Sequence, residues 1–348
     1  MTRFTDRKLA GLLLMAQVIA TGGARAQTPC TDAEAFQAPG SLTLDSREQA
    51  DRNRHFPINP DPAVRKKIDQ AILLLKQALP DPKGLAGKYS YDIIDPGPKS
   101  HVLRFWITTA FFDYYCVPAN RDYPPGSAGK LRLSDETGTW IYIYFNTLGW
   151  LVNEGVSLGK EMRTPKGETI FLFPREDGEW HGHPVLSPQI HGEASEAILL
   201  TAAGRFPFKP VSREEFLQAR EAVAQKYLDE ARATAGPDSS GAKFRESQLE
   251  EIRKLHSSIP PEELQTQAVV REWNADPPRG RIFASEADHG LRLVTVDQTY
   301  IDRSLPKSAV QSIVLYWRWN EDVPTKREMI RQFKTNFDVA ALEKLLDR

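Results

Sequence analysis

The stretch Gly138–Phe145 constrains the fold of this chain more than any other. Trp140, Tyr142 and Tyr144 alternate with Ile141, Ile143 and Phe145, the period-two placement that sends successive side chains to opposite faces of a β-strand. Lys88–Asp95 and Val102–Cys116 are likewise dense in aromatic and β-branched residues, with a turn at Pro96-Gly97-Pro98 between them. Along Val102–Cys116 both alternating faces are largely apolar, which fits a strand covered on both sides. Gly149–Val156, Glu168–Phe173 and Ala197–Thr201 continue the series, cut by Gly, Pro and Asn. Short strands that follow one another without intervening helices predict an antiparallel sheet.

Helical periodicity flanks this block. Val64, Ile68, Ile72, Leu75 and Leu79 form one apolar stripe, predicting a helix from Pro62 that Pro80, Pro82 and Gly84 stop. Ser212 with Glu215 makes a capping-box pattern after Pro210. Phe216, Ala219, Val223, Tyr227 and Ala231 then keep helical spacing to about Ala235. After the turn at residues 236–241, Phe244, Leu249, Ile252, Leu255 and Ile259 mark a second helix, so the pair predicts an antiparallel hairpin. Pro260-Pro261-Glu262-Glu263 opens a further short helix. Gly290–Val296 and Ala309–Trp319 are expected strands, Thr325 with Glu328 a second capping box, and Asp338 the cap of a terminal helix over Val339–Leu346. The expected fold class is α+β: a mainly antiparallel β region, a helical hairpin, and a C-terminal β/α segment. It divides into an irregular lead-in (27–60), a β-rich region with one N-terminal helix (61–210), and the hairpin with the C-terminal strands and helices (211–348).

Residues 1–26 carry the pattern of a cleavable secretory signal. Arg3, Arg7 and Lys8 precede an apolar run from Leu9 to Ile19, and Ala24-Arg25-Ala26 supplies the small-x-small site. The run is shorter than the about 20 apolar residues of a membrane span, and no later segment is apolar for long enough. An exported protein starting near Gln27 is the expectation, periplasmic or extracellular, with no integral membrane segment. Removing residues 1–26 takes four of the 45 basic residues and one of the 46 acidic ones, leaving 41 and 45, a net charge of −4. That balance argues against a nucleic-acid partner, which needs a concentrated basic face. Export into an oxidising compartment makes a disulfide between the two cysteines, Cys30 and Cys116, the natural inference, with two buried free thiols as the alternative.

Gly204–Leu217, the helical hairpin and Tyr300-Ile301-Asp302-Arg303-Ser304-Leu305-Pro306 resemble exported bacterial proteins of no assigned activity. The similarity spans roughly residues 140–348. It implies nothing about chemistry.

Three constellations are chemical candidates. Gly155-Val156-Ser157-Leu158-Gly159 matches the G-x-S-x-G pattern of a nucleophile elbow, with Ser157 as the catalytic candidate. That chemistry needs a helix next, whereas Pro165 and Gly167 break the chain, so a Gly-rich turn is the better reading. His181, His183 and His191 are the metal candidate. If residues 179–184 are extended, His181 and His183 share a face, with Asp177, Glu179 or Glu193 as a carboxylate partner. Five Gly and Pro residues between Gly178 and Gly192 make this stretch look like a polar surface loop instead. Finally, Trp140, Tyr142 and Tyr144 offer an aromatic platform for sugar rings or a peptide, which Trp106, Trp150 and Trp180 would extend. The competing reading is a core face packed under helices. The functional expectation is a ligand- or partner-binding or structural protein without a cofactor, using the aromatic β region or the helical arm. A zinc hydrolase using the histidines is the alternative.

Overall fold

The computed structural model describes residues 30–55, 61–97, 100–118, 123, 127–135, 137–149, 151–152, 162–188, 194–202, 205–271 and 282–347. In chain order these form α1 (Asp32–Gln37), β1 (Ser41–Leu44), α2 (Ser46–His55), α3 (Pro62–Ala78), β2 (Leu85–Ile94), β3 (Arg104–Cys116), β4 (Leu131–Leu133), β5 (Thr139–Phe145), β6 (Phe171–Leu172), β7 (Arg175–Trp180) and β8 (His183–Ser187). There follow β9 (Ala194–Thr201), β10 (Phe208–Pro210), α4 (Arg213–Ala235), α5 (Ser240–Ser258), α6 (Pro261–Leu264), β11 (Val269–Val270), β12 (Leu291–Val296), β13 (Ser312–Trp319), α7 (Pro324–Asn336) and α8 (Val339–Glu343). The fold is α+β, in the class the sequence predicts.

The large sheet has nine strands in the order β1-β2-β3-β5-β13-β9-β8-β7, with β4 on the far end of β3. Among the described residues its pairings are antiparallel except that of β1 with β2. The alternation seen in the sequence sends Ile141, Ile143 and Phe145 of β5 to one face, beside Phe105 and Ile107 of β3 and Ile313, Leu315 and Trp317 of β13. Helices α3, α7 and α8 close that face. Val64, Ile68, Ala71 and Leu75 of α3 meet Phe333 of α7, Leu342 of α8 and the strand side chains in one buried cluster. Pro62 fits the first turn of α3, and the Asp61 carboxylate accepts from the Ala63 N–H. Each large aliphatic side chain buried here contributes about 1.5–3 kcal/mol.

The opposite face of the sheet is only partly closed. A four-stranded sheet, β10-β12-β11 with β6 also on β12, lies against it. Alternation again decides what points where. Phe171, Phe173, Phe208 and Val294 turn toward Tyr144, Val314 and Tyr316 of the large sheet. Leu172, Leu291 and Leu293 turn the other way, onto Phe216 and Ala219 of α4. The capping box is present at Ser212 and Glu215, and Gly236 ends α4 with φ 87°. Beyond this root the hairpin packs on itself, Ala224 and Leu228 against Ala242, Leu249 and Ile252.

Several expectations are corrected. The lead-in is not irregular: it forms α1, β1 and α2 along the edge of the large sheet. Gly40 sits so close beneath the neighbouring chain that a Cβ would lie 2.3 Å from the Pro82 carbonyl oxygen. The Cys30–Cys116 disulfide closes a separation of 86 residues and ties the start of this segment to the end of β3. Thr325 and Glu328 make no capping box. The cap position of α7 is Val323, Pro324 begins the helix, and Glu328 instead binds Arg331. Leu151 and Val152 form a turn rather than a strand, while residues 153–156 fall outside those described. Among the described residues no helix is long and apolar enough to cross a membrane.

Candidate functional site: a half-open aromatic row

The second face of β5 carries Trp140, Tyr142 and Tyr144. Pairing fixes their neighbours: Trp140 lies opposite Arg318 and Ala110, Tyr142 opposite Tyr316 and Thr108, and Tyr144 opposite Val314 and Trp106. Ring centroids are 5.8 Å apart for Trp140–Tyr142, 5.5 Å for Tyr142–Tyr144 and 5.5 Å for Tyr142–Tyr316, with interplanar angles of 17°, 8° and 30°. At that separation near-parallel rings overlap with an offset, so they lean like tiles. Trp106 extends the row at 6.4 Å from Tyr144. The Arg318 guanidinium sits 5.7 Å from the centre of the Trp140 ring.

Cover thins along the row. Tyr144 is 1% exposed beneath the small sheet, whereas Tyr142, Trp140 and Trp106 are half-buried. Tyr142 and Trp106 pack at the border of the cluster formed by the two sheets, and Trp140 lies outside it. The indole Nε1 of Trp140 is buried without a hydrogen-bond acceptor among the described residues, a situation that is uncommon and costly for a polar atom. Burial pushes the Tyr144 phenol far above its ordinary pKa, reinforced by Tyr142 and Tyr316 and opposed by Arg318 and Arg52. The phenol therefore stays neutral near pH 7, and two guanidinium groups lie within electrostatic reach of it.

Arg52 arrives from the N-terminal segment. It pairs with Asp92 of β2, a carboxylate 4% exposed that lies opposite Trp106, and with Glu48 one turn earlier in α2. Gln49 holds α2 in place, its amide accepting from the Tyr91 N–H at 2.9 Å and donating to the Tyr91 carbonyl at 3.0 Å. This side chain continues the hydrogen bonding of the β2 edge where β1 ends at Leu44. The lead-in is therefore a wall of the site. Sequence reasoning missed it because the pairing is long-range, and only the polar pattern Glu48-Gln49…Arg52 on a short helix hinted at it.

Other sequence candidates are placed differently. Trp180 lies on the opposite face, 5.1 Å from Trp317 and 5.8 Å from Phe333, donating to the Lys334 carbonyl. It belongs to the core and does not extend the platform; Trp150 falls outside the described residues. His181 and Gly182 form the tight turn between β7 and β8, with φ 51° and 82°, the left-handed pair of a two-residue hairpin. The extended run that would have put His181 and His183 on one face is absent. Among the described residues no group of three His, Cys, Asp or Glu is placed to hold a metal ion. His191, Glu193 and Ser157 lie outside those residues. Comparison with protein-family models, curated proteins and solved structures finds no match to this chain.

Proposed function

We propose that this chain is an exported binding protein whose aromatic row takes a sugar chain. The observation that carries the reading is Trp140: a half-buried ring at the uncovered end of a stacked row. Sugar rings present C–H faces that pack on aromatic surfaces. Aromatic side chains offer this area with few rotors to freeze. The partly exposed Tyr142 and the Arg52 guanidinium, held by Asp92, add polar groups along the same face. The test is a titration of the full chain with soluble cello-, chito- and malto-oligosaccharides, following tryptophan fluorescence. A saturable change with at least one series, at a Kd between about micromolar and millimolar, is expected. No response to any of the three overturns the proposal.

A further inference from the structure

The N-terminal segment that walls the aromatic row is held by few contacts and one covalent bond. Of residues 31–54, only Ala35, Ala38 and Gln49 are buried. β1 joins β2 over four residues in a parallel pairing, and parallel ladders are slightly weaker per residue than antiparallel ones. Single backbone bonds add to this. The Gly84 N–H donates to the Ala38 carbonyl, the Asp45 N–H to the Tyr89 carbonyl and the Gly40 N–H to the Asp81 carboxylate, each at 2.8 Å. Water takes over such bonds when a surface segment lifts, so each adds little net.

The covalent tie is the Cys30–Cys116 bridge, which fixes the front of the segment to the end of β3. Both cysteines keep some solvent exposure, and exposed bridges are the ones open to thiol exchange. With the bridge closed, the segment is pinned by Cys116 in front and by α3 behind. With it open, the front becomes a free chain end, and chain ends with little burial are the first parts of a domain to open. A single residue, Asp45, separates β1 from α2, so lifting β1 draws α2 with it. Arg52, which pairs with Asp92 opposite Trp106, then leaves the row.

Taking the aromatic row as a sugar site, we infer that the Cys30–Cys116 disulfide is a redox control on it. The reductant is a dithiol. One of its sulfurs, as thiolate, attacks Cys116 Sγ; the S–S bond breaks, and the Cys30 thiolate released takes up a proton. The second thiol of the reductant displaces Cys116 from the mixed disulfide. The chain ends with two thiols and the reductant with a disulfide.

The test compares the full chain oxidised, reduced with dithiothreitol and reoxidised, each titrated with the oligosaccharides that bind the oxidised form. The double variant Cys30→Ser with Cys116→Ser, which needs no reductant, is measured beside them. Reduction should weaken binding about tenfold, as for a segment docked about one-tenth of the time, and reoxidation should restore it. Amide hydrogen exchange should show residues 32–54 losing protection in the reduced chain and the double variant, while β3, β5 and β13 keep theirs. Three results would overturn the inference. Reduced chain and double variant binding as tightly as the oxidised chain would remove the redox control and leave the sugar-binding reading standing. Loss of protection in the sheet together with the segment would make the bridge a staple of the whole fold. Absence of sugar binding by the oxidised chain would remove the reading and the control with it.

Discussion

On β5, Ile141, Ile143 and Phe145 are wholly buried under helices, while Trp140 and Tyr142, each one residue away, keep part of their surface in solvent. The two faces differ in chemistry as well as cover. The helix-covered face is mainly aliphatic and aromatic carbon, with Thr109 and Thr139 the small polar residues buried beside Ile141. The other face mixes rings with hydroxyls, an indole N–H and guanidinium groups, and its cover runs out before the row of rings does. The difference teaches that strand alternation alone does not say which face is core: both look apolar in sequence, and only the cover distinguishes them.

The comparison can be pressed hardest on its stability side. Phe145→Ala, in the closed face and stacked on Phe105 at 4.4 Å, should cost about 3–5 kcal/mol through lost burial and the cavity left behind. Chemical denaturation measures this, and a loss below about 1 kcal/mol would mean that the helices do not close this face tightly.

Next comes the wall that the N-terminal segment builds. Cys116→Ala should cost about 2–4 kcal/mol under non-reducing conditions, because the bridge closes a long loop. The same variant should expose the α1–α2 segment to proteolysis before the sheet, since little of it is buried apart from Ala35, Ala38 and Gln49. Simultaneous digestion of segment and sheet would show that the segment does not detach separately.

A smaller effect belongs to Gln49. Its replacement by Ala strands the Tyr91 N–H and carbonyl and should cost about 1–3 kcal/mol. It should also weaken ligand binding, because Arg52 rides on the same helix. Unchanged binding alongside the stability loss would remove α2 from the site.

Smallest of all is the β7–β8 turn. His181→Asn with His183→Ala should shift stability by no more than about 0.5 kcal/mol, since Asn tolerates the left-handed conformation at position 181. Chelator should leave melting unchanged in both chains. A chelator-induced drop present only in the original chain would restore the histidines as metal ligands.

Much of this architecture is legible in the sequence because it rests on local regularities. The stripe of α3, the capping box at Ser212, the alternation of β5 and the breaks at Pro80 and Gly236 each act within a few residues. What was not legible depends on partners distant in the chain. β1 exists because β2 offers it an edge, and Gly40 must be glycine because the chain at Pro82 and Leu85 presses on it. The tight turn at His181-Gly182 lacks the Asn-Gly or Asp-Gly signature that would have marked it. Of the site, the three β5 aromatics and Trp106 were visible. Tyr316 and Arg318 enter through the pairing of β13 with β5, and Arg52 through a helix that no periodicity announced.

Trp140→Ala and Ile141→Ala, neighbours on one strand, put the central claim to its most direct test when measured together for melting and for oligosaccharide binding. Ile141→Ala should lose about 2–5 kcal/mol of stability while its folded fraction binds as before. Trp140→Ala should lose much less stability and at least about tenfold in affinity, the cost expected for an anchoring aromatic. Equal destabilisation by the two substitutions, with binding untouched by Trp140→Ala, would contradict the account and make both faces of β5 core.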